Sequence, residues 1–202
     1  MRYQGGKSRI AKPLGSVIRS YGTEGREHYL EPFLGGASVF EVTAPKFARL
    51  HASDLHTDLM LMWKALRAGW TPPKNVTKAQ YLRLKEAETP SALRGYVGFA
   101  HGYGGQWFTS FLETGSPNTV IRKSRQMTRA DLRCCDYREW RPGTGWTVYC
   151  DPPYAETGQY SVGPFQSDLF WQTMNDWVAP AHWYGYRNIR LPPSGAGSGR
   201  PR

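Results

Sequence analysis

From residue 57 to residue 69, apolar side chains fall at Leu59, Met60, Met62, Trp63 and Leu66, the stripe of an amphipathic helix. A second such stripe, Leu169, Phe170, Met174, Trp177 and Val178, predicts a helix over 167–178 with Ser167 as its cap. SRIAKPLGSVIRS (8–20) reads as a helix that carries Pro13 in its first turns. Between these lie shorter runs of a different kind. HYLEPF (28–33) reads as a strand that ends at Pro32, and ARLHAS (48–53) as a second strand. A turn at Gly35 and Gly36 separates them, and a helix starts near Ala37–Ser38 and runs through Val39, Phe40 and Val42. WTVYC (146–150) is a compact β-rich run that reads as a central strand. Helix, strand, turn, helix, strand, helix is the opening of an α/β sandwich with a parallel sheet.

The middle of the chain breaks that rhythm. Residues 78–88 and 90–100 read as two short helices, and 102–118 (GYGGQWFTSFLETGSPN) is rich in glycine, aromatics and turn residues. The basic stretch 120–133 follows. We therefore expect an insert over 72–130, between halves at 1–71 and 131–179. Residues 180–202 are expected to be a disordered basic tail, because IRLPPSGAGSGRPR has low-complexity composition. No β-rich run follows the helix at 167–178, so C-terminal strands are expected to be missing. The tail has the composition of a chain cut short or read out of frame.

Charge adds a partner class. The chain has 202 residues, enough for one domain or one with a small insert, and 26 Lys and Arg against 16 Asp and Glu give a net charge of +10. Such a balance attracts polyanions, nucleic acid first; a generic basic surface is the alternative. Residues 122–141 alone hold Arg122, Lys123, Arg125, Arg129, Arg133, Arg138 and Arg141 against three acids. Aromatics at 14% argue against wholesale disorder. There is no apolar run of membrane-spanning length and no signal-peptide segment at the N-terminus. Three cysteines, Cys134 and Cys135 being adjacent, make neither a disulfide framework nor a metal pair, so a cytoplasmic setting and no metal are expected. The five histidines show no ligand spacing.

Three motifs carry chemistry. Asp151-Pro152-Pro153-Tyr154 follows the strand WTVYC directly, where open α/β sheets bind their ligands. Two prolines make a stiff turn and offer carbonyls without competing N–H groups. A carboxylate, a carbonyl and an aromatic ring held together suit a planar amine, which needs two acceptors and a surface to stack on. Glu31-Pro32-Phe33-Leu34-Gly35-Gly36-Ala37-Ser38 lies at a strand-to-helix junction where glycines admit a ligand close to the backbone. Asp54, at the end of the next strand, stands where an acid commonly takes ribose hydroxyls. Together they suggest an adenosine-containing cofactor, against the plainer reading of an ordinary βαβ turn. Tyr3-Gln4-Gly5-Gly6-Lys7-Ser8 invites a phosphate-loop reading, but Met1 stands where that motif needs its first glycine.

GGK near the start, EPFLGGASVF, an Asp ending the second strand and a late DPPY occur in this order, and over residues 1–178 the chain resembles the Dam-type (D12 class) DNA adenine-N6 methyltransferases. The resemblance implies a Rossmann-like methyltransferase sheet with an inserted helical and loop target-recognition region. It implies S-adenosyl-L-methionine as cofactor and double-stranded DNA as substrate. Lys7 lines the cofactor and adenine site, Phe33, Gly35 and Gly36 cradle the cofactor, Asp54 holds its ribose, and Asp136 and Tyr137 lie near its adenine ring. Asp151 and the Pro152 carbonyl accept hydrogen bonds from the target N6 amine, Pro153 stiffens the turn, and Tyr154 stacks on the extruded base. A base inside a duplex must flip out to reach such a pocket. For DNA recognition the candidates are Gly104, Gly105, Gln106 and Trp107, with Arg122, Lys123 and Arg125. Such a chain suits a bacteriophage or a bacterium, with or without a restriction partner. Two alternatives stay open: a catalytically impaired remnant that still binds DNA or S-adenosylmethionine, and an N-methyltransferase acting on RNA or protein glutamine. Protein-glutamine members tend to carry Asn in place of Asp151, and the basic insert also disfavours that third reading.

Overall fold

The computed structural model describes residues 3–20, 27–153 and 165–178. Its helices are α1 (Ala11–Ser20), α2 (Ser38–Thr43), α3 (Thr57–Arg67), α4 (Lys78–Glu86), α5 (Ala92–Ala100), α6 (Pro117–Ser124) and α7 (Ser167–Val178). Its strands are β1 (His28–Glu31), β2 (Arg49–Asp54), β3 (Ala130–Cys134) and β4 (Trp146–Val148). All strand pairs are parallel, in the order β3-β2-β1-β4. The chain winds outward from β1 through β2 to β3, then crosses back to lay β4 on the other side of β1. That reversal makes a switch point between β1 and β4, where the loops leave the sheet in opposite directions and open a crevice. The α/β reading with a parallel sheet therefore holds.

Both faces of β1 are buried, and its alternation sorts the core into two layers. Tyr29 packs against Phe40 and Phe47, with ring centroids 5.9 and 5.0 Å away, in a cluster shared with α2, α3 and α5. Leu30 points the other way, into a cluster with Tyr137, Trp140, Phe170 and Trp177. Trp177 and Phe170 are the two buried anchors of α7, whereas Trp171 is exposed. Ser167 is the first helical residue rather than a residue outside the helix. The first helix begins at Ala11, three residues later than the pattern suggests, because Ile10 N–H closes a turn onto Lys7 O at 3.0 Å. Pro13 then falls in the first turn, where its missing N–H costs no helical bond.

The largest departure from the sequence expectation is β3. It lies in what reads as the basic stretch, yet Ala130 and Leu132 are buried while Arg133 is exposed and pairs with Asp131 at 2.6 Å. Two alternating positions are too short a signal to stand out inside a charge run. The second departure concerns WTVYC. β4 covers only its first three residues and, among the described residues, pairs with β1 alone. Tyr149 N–H carries the ladder one step further, to Leu30 O at 2.9 Å.

The expected middle segment docks tightly on α3. Gly95 of α5 sits so close to α3 that a Cβ there would lie 2.1 Å from the Asp58 carbonyl oxygen. Buried Asp58 is held by Arg94 at 2.6 Å and by the Ser91 N–H at 2.7 Å. Residues 179–202, with the expectations of disorder and missing strands, lie outside the described residues, as do 154–164 and so Tyr154.

Candidate active site

One cavity of about 320 Å³ opens at the carboxyl ends of all four strands. β1 delivers Glu31 and the turn Pro32–Ser38; β2 delivers Asp54; β3 leads to Asp136 and Tyr137; β4 leads to Tyr149 and Asp151–Pro153. The N-terminal segment Tyr3–Lys7 closes one side, and Phe165 and Leu169 at the start of α7 close another. The cavity thus gathers Lys7, Phe33, Gly35, Gly36, Asp54, Asp136, Tyr137, Asp151, Pro152 and Pro153, all expected around a cofactor and a target amine.

Lys7 and Asp151, 144 positions apart, form the ionic centre of this cavity. Lys7 Nζ donates to both carboxylate oxygens, at 2.7 and 2.8 Å, and to Gly5 O at 3.0 Å. Both side chains keep about a fifth of their surface in contact with solvent, 19% and 20%. The sequence placed the two in one site but gave no sign of this pairing.

Asp54 braces the turn. Its Oδ2 accepts from Gly35 N–H at 2.9 Å and its Oδ1 from His56 N–H at 3.0 Å. Burial raises its pKa, and the His56, Gly35 and Leu55 amides oppose that rise. A carboxylate has more lone pairs than these bonds use, so an acceptor edge is left for a hydroxyl. The turn itself is unusual. Gly35 has φ +46°, and Ala37, with φ 53° and ψ 35°, is left-handed without being glycine. The close neighbour that the glycines admit is Tyr3, where the sequence suggested a ligand. A Cβ on Gly36 would lie 2.7 Å from Tyr3 Cβ, and one on Gly35 would lie 2.8 Å from its ring.

The aromatic wall is built from Phe33 and Tyr137, 5.2 Å apart, with Phe165 and Phe170 edge-on to Phe33. Asp136 caps the turn Tyr137–Glu139 and is paired by Arg138 at 2.7 Å, which lowers its pKa.

Glu31 is a site residue whose role sequence reasoning missed, although it stands in a motif that reasoning singled out. It is 2% exposed, lines the cavity and accepts from Tyr29 OH at 2.5 Å. Burial pushes its pKa up to about 8; the Tyr29 bond and Lys123 pull it down, and Asp151 pushes it further up. Cys150, expected in the strand, lies just beyond β4 with Sγ 3.6 Å from Met174 Sδ, and burial raises its thiol pKa.

The DNA candidates divide. Gly104 and Gln106 are exposed in a glycine turn, and Gly105 O accepts Gln4 N–H at 3.0 Å, which ties that turn to the N-terminal segment of the cavity. Trp107 packs inward, with His56 at 4.2 Å and Phe99 at 4.8 Å. Arg122 and Arg125 are exposed, and Arg122 pairs with Glu41 of α2. Lys123 corrects the expectation of a surface cation. It is 4% exposed, and its ammonium bonds to Gly36 O and, at 2.8 Å, to Ser38 Oγ. One residue of helical phase turns it inward while Arg122 faces out.

A parallel sheet wound in this order, with a pocket across the ends of its strands, is a Rossmann-like arrangement, which places ligands at its switch point. Residues 3–92 match the model of the family D12 class N6 adenine-specific DNA methyltransferase. The resemblance drawn from the motifs is thereby shown over that stretch, and with it the activity class: an enzyme that transfers a methyl group to N6 of adenine at sites in DNA. The match spans the Tyr3–Lys7 loop, the Glu31–Ser38 turn and Asp54, and stops before DPPY. No curated protein matches the chain. A methyl donor and a DNA substrate follow from the family. Among the described residues no helix is long and apolar enough to cross a membrane, and no group of three or more His, Cys, Asp and Glu could hold a metal ion.

Proposed function

We propose that the cavity binds S-adenosylmethionine beside an adenine everted from double-stranded DNA, and that Asp151 and the Pro152 carbonyl hold the N6 amine for transfer. The observation that carries this reading is the convergence of four strand ends and the N-terminal loop on one cavity that holds Asp151, Phe33 and Asp54 together. The residues fit the donor in kind: an acceptor edge on Asp54 for a ribose and an aromatic wall at Phe33 and Tyr137 for a purine. The volume, about 320 Å³, is at the small end of the range for small-molecule sites.

The donor, when bound, supplies an activated methyl group on a sulfonium. The chain's part is positioning. The exocyclic amine of adenine is a poor nucleophile because its lone pair is delocalised into the ring. Two N–H bonds, one to Asp151 and one to the Pro152 carbonyl, favour a pyramidal nitrogen with its lone pair aimed outward. Lys7 holds the Asp151 carboxylate in place and fixes it as the acceptor. The amine shares this carboxylate with Lys7, since each oxygen has a second lone pair. Tyr154 is the proposed stacking surface, and Pro153 stiffens the turn. Residues 72–130 serve as the target-recognition insert between the halves 1–71 and 131–179, with Gly104, Gln106, Arg122 and Arg125 toward DNA. Work on DNA suits a cytoplasmic setting.

Incubation of the chain with labelled S-adenosylmethionine and mixed-sequence duplex DNA tests the reading. Label on adenine N6 that disappears in Asp151→Ala is the expected result. Ligand binding without transfer in the wild type would favour the impaired remnant, a reading to which the Lys7–Asp151 ion pair lends some support because it already engages the acceptor carboxylate.

A further inference from the structure

Lys123 is a buried cation that the proposed chemistry does not use. It lies in α6, in the segment read as target recognition, yet its ammonium ends in the turn after β1. Both acceptors belong to that turn: the Gly36 carbonyl and the Ser38 hydroxyl. The Gly36 carbonyl is one side of the peptide whose other side is the Ala37 N–H, and in a trans peptide the two point in opposite directions. Lys123 pulls the oxygen one way, while Ala37 N–H donates to Leu34 O at 2.8 Å the other way. The peptide plane is therefore fixed from both sides. It goes with a φ of 53° at Ala37, a left-handed conformation that is strained for a residue with a Cβ. A strained turn persists only where its surroundings hold it, and Lys123 is part of that hold. The neighbouring Arg122 pairs with Glu41 of α2, so α6 grips the turn and the helix that follows it with two consecutive residues.

We propose that Lys123 is a positioning residue for the methyl donor: it shapes the Gly35–Ser38 turn and thereby joins the target-recognition segment to the donor cavity. The inference rests on the reading that the donor occupies this cavity. It assigns α6 two faces of different use, with Arg122 outward and Lys123 inward.

Lys123→Met keeps the aliphatic stem and removes the ammonium. The test measures S-adenosylmethionine Kd, the steady-state KM and kcat, and DNA Kd on the full chain. The expected result is a donor Kd and KM raised about tenfold, with kcat at saturating donor within about twofold and DNA affinity unchanged. A phosphate-binding lysine would give the reverse, weaker DNA binding with donor affinity intact, and that outcome overturns the proposal. Should Lys123→Met fail to fold, Ser38→Ala removes one of the two acceptors and should raise donor KM about threefold with kcat unchanged. An unchanged donor KM in Ser38→Ala, with Lys123→Met either folded and unaffected or unfolded, also overturns it. If the wild type binds neither S-adenosylmethionine nor S-adenosylhomocysteine, the donor reading itself falls, and this inference with it.

Discussion

Asp151 and Glu31 are two carboxyl groups in one cavity with opposite environments. Asp151 is clamped by Lys7 and partly open to solvent, whereas Glu31 is buried against Tyr29. They should respond differently to substitution. Asp151→Ala should lower methyl transfer by about 100-fold or more, the usual scale for loss of one preorganised hydrogen-bonding group, with donor Kd nearly unchanged. Labelled-donor binding beside transfer assays checks both halves. Glu31 should show itself in stability. Its ordinary pKa is 4.5 and burial raises it to about 8. Between those values the folded chain keeps a proton that the unfolded chain has released, so Glu31's contribution falls as pH rises from about 4.5 to about 8. Lys123 works in the opposite sense. Burial lowers its pKa from 10.5 to about 8, so above that pH its contribution rises as the unfolded chain alone stays protonated. In urea melts from pH 5 to 8 the stability of the wild type relative to Glu31→Gln should therefore fall as pH rises, whatever the buried histidines add to both; a constant difference between the two would remove Glu31 as the cause.

At the scale of elements, the glycines of the middle segment are packing devices. Gly95 lets α5 lie against the backbone of α3, and Gly98 makes room for the Trp107 ring, 2.3 Å from where a Cβ would stand. Gly95→Ala forces backbone apart and should cost about 1–3 kcal/mol. Arg94→Met leaves buried Asp58 without its cation and should cost about 3 kcal/mol. Chemical denaturation measures both. If either change proved neutral, α5 would not be seated on α3 as described. These contacts also explain why the segment reads as an insert. Its helices are short and its loops glycine-rich. What seats it on α3 is a set of close approaches that only the folded chain displays.

For the whole molecule, +10 is the quantity that reaches farthest. DNA binding should weaken steeply with salt, by about a thousandfold between 50 and 200 mM for six or so phosphate contacts. Neutralising Arg122 or Arg125 should each reduce the salt slope by about one. Lys123→Met should leave the slope alone, because a buried ammonium bonded to Gly36 and Ser38 neutralises no phosphate. Fluorescence anisotropy on a labelled duplex at several salt concentrations separates the three.

By itself the sequence determined the order of the first helices and strands, the turn at Gly35–Gly36 and the positions of the chemistry-bearing residues. Those features are local: apolar spacing, proline and glycine geometry, and motifs a few residues long. Tertiary structure alone decided that β3 continues the sheet, that Lys7 meets Asp151 across 144 positions, and that Lys123 turns in while Arg122 turns out. It also put Tyr3 in the space left by two glycines, and it buried Glu31 at the cavity wall, which raises its pKa. Charge in a sequence carries no direction. Which basic side chain faces water and which faces a carbonyl depends on the helical phase and on what packs above it, and both are properties of the folded chain.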